Sequence, residues 1–147
     1  MTLFEIITLG LSILGSGLGI LNTWQNNRKD SIRLRVTPVN AIGSNPVIDF
    51  GIEVINNSHF AVEVREVGFV AKDGRRAMIM QHVLSDGTRL PAIVEARSEI
   101  TVYFSKSAIF DVQLAEIKAA YARLPGKKMF LGRSPALTEL INAWRSR

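Results

Sequence analysis

The chain has 147 residues, 47% of them hydrophobic and 21% charged, with a net charge of +5 and no cysteine. Without cysteine there are no disulfides, no thiol chemistry and no palmitoylation, and two histidines alone leave no ligand set for the usual zinc sites. The charge is unevenly placed: residues 28–117 carry eleven Lys or Arg against eleven Asp or Glu, whereas residues 118–147 carry seven basic residues and a single acid, Glu139.

The first stretch decides the compartment of everything after it. From Leu3 to Leu21 the one charge is Glu5, and the run closes on Trp24 ahead of Arg28 and Lys29. A helix from Leu3 to Trp24, rising about 1.5 Å per residue, is long enough for a hydrocarbon core of about 30 Å. Residues 1–27 therefore read as a transmembrane anchor and 28–147 as one further domain, large enough for a single hydrophobic core. A cleaved secretory signal would have a basic start and a small-x-small exit, and this stretch has neither. A core helix of a soluble oligomer would be weakened by Gly10, Gly15, Gly17 and Gly19, at about 1 kcal/mol each against alanine, while spans in lipid carry glycine freely.

Small residues also line neighbouring faces of this helix. Thr8, Ser12 and Ser16 recur every fourth residue, and Gly15 and Gly19 form a GxxxG. Thr8, Ser12, Gly15, Ser16 and Gly19 are thus the candidate face for homo-oligomerisation, beside the plainer reading that spans are simply rich in small residues. Arg28, Lys29, Arg33 and Arg35 follow the span, whereas Glu5 and the α-amine precede it. Positive flanks stay in the cytoplasm, which predicts a single-pass protein of the cell inner membrane with its C-terminal domain cytoplasmic. There the Asn56-Asn57-Ser58 sequon would go unused, and we read it as a turn.

After the anchor the hydrophobic period becomes two. Ile32, Leu34 and Val36 alternate with Arg33, Arg35 and Thr37, a half-buried strand that Pro38 is expected to end. Residues 40–46 read as a loop, and Ile48, Phe50, Ile52 and Val54 make the second strand. In Val62–Ala71 the apolar phase changes, and a bulge near Arg65-Glu66 would reconcile it. Asp73-Gly74 signals a hairpin into a return strand at Ala77–Gln81, and Ser85-Asp86-Gly87 signals another turn. Leu90–Val94 reads as an edge strand on account of Pro91, and Glu99–Phe104 as a strand with Ile100, Val102 and Phe104 on one face.

From Ser107 the period is ambiguous, because Phe110, Leu114, Ile117, Tyr121 and Leu124 also fit one helical face. We assign a short helix to about 108–115 and a hairpin around Pro125-Gly126, which would make Lys118–Leu124 strand, with helix as the open alternative there. Ser134 as N-cap, Pro135 at the first helical position, and Leu137, Leu140, Ile141 and Trp144 at i, i+3, i+4 and i+7 predict an amphipathic helix over 135–145.

Seven or eight short strands separated by turn signals predict a mainly β fold, a sandwich between an N-terminal transmembrane helix and a short C-terminal amphipathic helix. The run from Ile52 to Gly74, with Val54, Asn56, Val62, Val64, Val67, Gly68, Phe69 and Asp73 in its pattern, resembles the second and third strands of immunoglobulin-like domains in small bacterial and phage proteins that carry a hydrophobic anchor. Ser58 stands where those domains commonly have glycine. The resemblance rests on structural residues, so it implies an immunoglobulin-like β-sandwich and carries no catalytic position.

No constellation for catalysis, cofactor binding or metal ligation emerges, so no enzyme activity and no cofactor is expected. His59 falls in a turn, and His82 with Ser85 and Asp86 is a loop neighbourhood rather than a triad, which is defined by geometry. Lys118, Arg123, Lys127, Lys128 and Arg133 form the candidate basic surface, set against the alternative of a solvated face. The expected partners are membrane lipid and a protein; nucleic acid is a weaker expectation, because the basic segment lacks interleaved aromatics for stacking. The function this predicts is a non-catalytic interaction or tethering module on the cytoplasmic face. The alternative is a helix that assembles into a membrane-active bundle or pore, with the sandwich as sensor or regulator.

Overall fold

The computed structural model describes residues 2–29, 31–41, 50–80, 83–105 and 116–145, and the chain divides into two compact units, Met1–Ser31 and Ile32–Arg147.

The first unit is helix α1, Leu3–Lys29. Its start is capped by the one acid in the apolar run: Glu5 accepts from the Thr2 amide at 2.8 Å, the reciprocal half of a capping box, at the end of the helix dipole that favours an anion. Leu3–Trp24, 22 residues, is long and apolar enough to cross a membrane, and none of it is buried against protein.

The second unit is mainly β. Its strands are β1 (Leu34–Asn40), β2 (Phe50–Asn56), β3 (Val62–Val64), β4 (Glu66–Ala71), β5 (Arg76–Met78), β6 (Val83–Leu84), β7 (Ala92–Val94), β8 (Glu99–Phe104), β9 (Ile117–Arg123) and β10 (Met129–Gly132), followed by helix α2 (Pro135–Arg145). They form two four-stranded antiparallel sheets, ordered β1-β2-β8-β6 and β10-β9-β4-β5, and a two-stranded pair, β3-β7. The inner faces of both large sheets feed one core. Phe50 of β2 and Phe104 of β8 meet Phe69 of β4, with ring centroids 5.6 to 6.4 Å apart in tilted and edge-on arrangements. Val54, Val64, Val67, Val94 and Val102 are completely buried around them.

The period-two reading holds for most strands, and the departures have physical reasons. β1 does not stop at Pro38 but runs on to Asn40, pairing Pro38 with Ile52. Proline lacks only the donor on the side away from β2, since its carbonyl on that side accepts from the Ser134 hydroxyl; β1 is an edge strand, where such a residue fits. The phase change after Val64 is not a bulge within one sheet. At Arg65 the chain leaves the pairing of β3 with β7 and enters that of β4 with β5 and β9, so both apolar phases point into the same core. A register irregularity does occur farther along, at Val70/Ala71.

The turns follow their chemistry. Gly74 and Gly87 adopt positive φ, and Asp73 and Asp86 each accept the backbone N–H two residues on. The Pro125-Gly126 hairpin joins β9 to β10, as expected. α2 buries Leu137 and Leu140 in the core, and Ser134 caps it by accepting from the Leu137 amide at 3.3 Å. The expected helix over 108–115, His82 and the Trp144 side chain lie outside the described residues.

Where the two large sheets meet at β1 and β10, they nearly touch. A Cβ on Gly132 would lie 1.6 Å from the Val36 carbonyl oxygen, so only glycine admits this approach. α2 packs on the same edge, where Ser134 donates to the Pro38 carbonyl at 2.5 Å and Asn40 donates to Glu139 at 3.3 Å.

Candidate functional site

On α1 the small-residue face is built from hydroxyls that satisfy themselves. Thr8 donates to the Phe4 carbonyl, Ser12 to Thr8 and Ser16 to Ser12, each four residues back and at 2.8 to 2.9 Å. Such back-bonding removes the cost of a hydroxyl in an apolar surrounding. Gly15 and Gly19 have no other group within 4 Å of where a Cβ would sit, leaving this face flat and open.

The five basic candidates of the β domain separate into three settings. Arg123, at the end of β9, is paired with Glu66 of β4 at 2.6 Å, and the Tyr121 hydroxyl donates to the other oxygen of the same carboxylate at 2.9 Å. Burial, then the bond to Glu66, pushes the Tyr121 hydroxyl well above the ordinary phenol range. Lys127 and Lys128 are exposed at the hairpin, the latter with its ammonium 5.4 Å from the Phe130 ring centroid. Lys118, at the start of β9, and Arg133, between β10 and α2, lie at the opposite end, on one cleft.

That cleft has a volume of about 450 Å³. Ile117, Leu137 and Ile141 give it apolar walls, Ser134 and Thr138 add hydroxyls, and Lys72, Lys118 and Arg133 supply three cations, with no acidic side chain among the described lining residues. Lys72 comes from the turn after β4, and pairing of β4 with β9 carries it beside Lys118: the Lys72 amide donates to the Glu116 carbonyl at 2.8 Å. Sequence reading missed Lys72, which stands 46 residues before Lys118 in a segment of balanced charge. Both hydroxyls are already engaged, Ser134 in its cap and Thr138 donating to the Ser134 carbonyl at 3.4 Å.

Elsewhere the polar side chains serve turns. Asp86 accepts from the Thr88 hydroxyl at 2.6 Å, which first among its causes, with the Thr88 amide next, holds its carboxyl below the usual carboxylate range. His59 is exposed with Nδ1 3.3 Å from the Arg97 guanidinium. Among the described residues no group of three or more His, Cys, Asp or Glu is placed to hold a metal ion. Comparison with family models, curated proteins and solved structures finds no match.

Proposed function

We propose that this protein is a membrane-anchored, non-catalytic interaction module, held by α1 in the cell inner membrane with its β domain in the cytoplasm. The observation that carries the reading is the apolar surface of α1: Leu3, Phe4, Ile6, Leu9, Ile13, Leu18 and Ile20 are all more than half exposed, so this surface calls for lipid or another helix to cover it. The cationic residues behind the span support the cytoplasmic side. Anchoring raises the effective concentration of the domain for other membrane-bound partners, which is the mechanism of a tether.

An immunoglobulin-like arrangement of the domain is part of the proposal. Its support is strand order: lettered along the chain with β3 and β4 as one strand C and β7 left unlettered, the large sheets read A-B-E-D and G-F-C-C′. Nuclear Overhauser contacts between β2 and β8 are its signature, and β2 paired with β4 instead would end it.

Topology and extraction test the anchor together. Reporters fused after Arg147 are expected to be active only in the cytoplasm, and carbonate is expected to leave the protein in the membrane. Release by carbonate would contradict the anchor, and a periplasmic signal would contradict the orientation.

The open glycine face favours a second reading, in which α1 assembles into a membrane-active bundle. Residues 1–30 fused to an inert soluble domain should then depolarise cells; a harmless fusion would leave the tether alone.

A further inference from the structure

We propose that the cleft between β9 and α2 binds a phosphate monoester carrying an apolar group. Some cations of the domain are paired with acids, and others, among them Arg35, Arg76, Lys127 and Lys128, stand exposed and apart from one another in sequence or at the hairpin. Arg65 is paired with Glu63, Arg75 with Asp73 and Glu116, and Arg123 with Glu66. The three cations of the cleft, Lys72, Lys118 and Arg133, form no ion pair among the described residues, although acids stand close by in sequence. Glu116 is taken by Arg75, and Glu139 accepts from Asn40. Three positive charges from three separate segments thus line one concavity, with no acid among its described lining residues.

The chemistry of the lining selects the ligand class. A phosphate monoester carries about −1.5 to −2 at neutral pH and three acceptor oxygens, which suits one guanidinium fork and two ammonium groups better than a single carboxylate does. The apolar contact comes from Ile141, half-buried at the cleft, since Ile117 and Leu137 beside it are already buried by the domain. A bare phosphate ion would leave Ile141 uncovered, whereas an alkyl or aryl group on the ester would lie against it. A volume of about 450 Å³ falls within the usual range for small-molecule sites. The start of α2 contributes little, since its Ser134 cap already occupies the Leu137 amide. The inference requires neither the anchor nor its orientation.

The source of the ester is either a soluble molecule or a lipid headgroup such as that of phosphatidic acid, and the experiment separates them. The full chain is placed in phosphatidylcholine nanodiscs and titrated with phenyl phosphate and with inorganic phosphate, following amide shifts and heat. Phenyl phosphate is expected to bind saturably, one per chain, and more tightly than inorganic phosphate. K118A/R133A should weaken it by about tenfold or more, whereas K127A/K128A, at the far end of β9, should stay within about twofold. Unchanged far-ultraviolet circular dichroism establishes that both variants are folded. In nanodiscs containing phosphatidic acid, loss of phenyl phosphate binding assigns the site to lipid, and retained binding assigns it to a soluble ester. Absence of saturable binding in the phosphatidylcholine discs, or equal weakening by the two double variants, would overturn the proposal.

Discussion

Asn56 holds three segments together from a position with no access to solvent. Its side-chain amide donates to the carbonyls of Phe60, Val94 and Glu95 at 2.8 to 3.0 Å, and its carbonyl accepts from the Ser58 amide at 2.9 Å. Asn56→Ala would remove the side-chain donor to the Phe60 and Val94 carbonyls and the acceptor of the buried Ser58 amide, an expected loss of about 3 kcal/mol read from the urea midpoint. Tyr121 gives a second test, with a sign fixed by linkage. Its folded hydroxyl holds its proton more tightly than the ordinary phenol at 10.0, so its contribution is complete below that pH and is lost as pH rises above it. Tyr121→Phe should therefore flatten the alkaline decline of stability relative to wild type, measured as the difference in unfolding midpoints between pH 9 and 11. The sequence marked Asn56-Asn57-Ser58 as a turn, but the carbonyls that bury Asn56 come from up to 39 residues away, beyond any local pattern. The same holds for Arg123, read as a surface cation because its partner Glu66 lies 57 residues earlier.

Among elements, those set by local chemistry were the legible ones. Alternation located β1, β2 and β8, Asp73-Gly74 and Pro125-Gly126 located two hairpins, the second of which made strand the reading for β9 where the period was ambiguous, and the Ser134-Pro135 cap located α2. What alternation cannot convey is the sheet a strand joins, and this is why Val62–Ala71 looked like one bulged strand. Two of the cleft's three cations, Lys118 and Arg133, were visible; Lys72 needed the β4–β9 register to become their neighbour. The meeting of β1 and β10 was invisible, since nothing in Leu131-Gly132-Arg133 announces a backbone close by. Gly132→Ala forces a methyl group against the Val36 carbonyl and is expected to cost about 3 kcal/mol, whereas Gly74→Ala, strained in φ but open in space, should cost about 1 kcal/mol. Equal losses in denaturant unfolding would show that the two edges are not in contact.

For the whole molecule, the division into an apolar helix and a separately cored β unit has a consequence for stability. Every described member of the core lies between Leu34 and Ile141. Residues 30–147 alone should therefore show the same hydrogen-exchange protection in β2, β4, β8 and β9 as the full chain in nanodiscs. Faster exchange throughout the fragment would mean that α1 supports the core. The clasp between β1 and α2 bears on mechanics. β1 is the first strand after α1, and through Pro38–Ser134 and Asn40–Glu139 it holds the helix that walls the cleft. If α1 is held in a bilayer as proposed and the cleft is occupied, tension between the two would load β1 and these two bonds first. The outer strands β5 and β6, at the far ends of their sheets, would remain slack while the clasp is under strain.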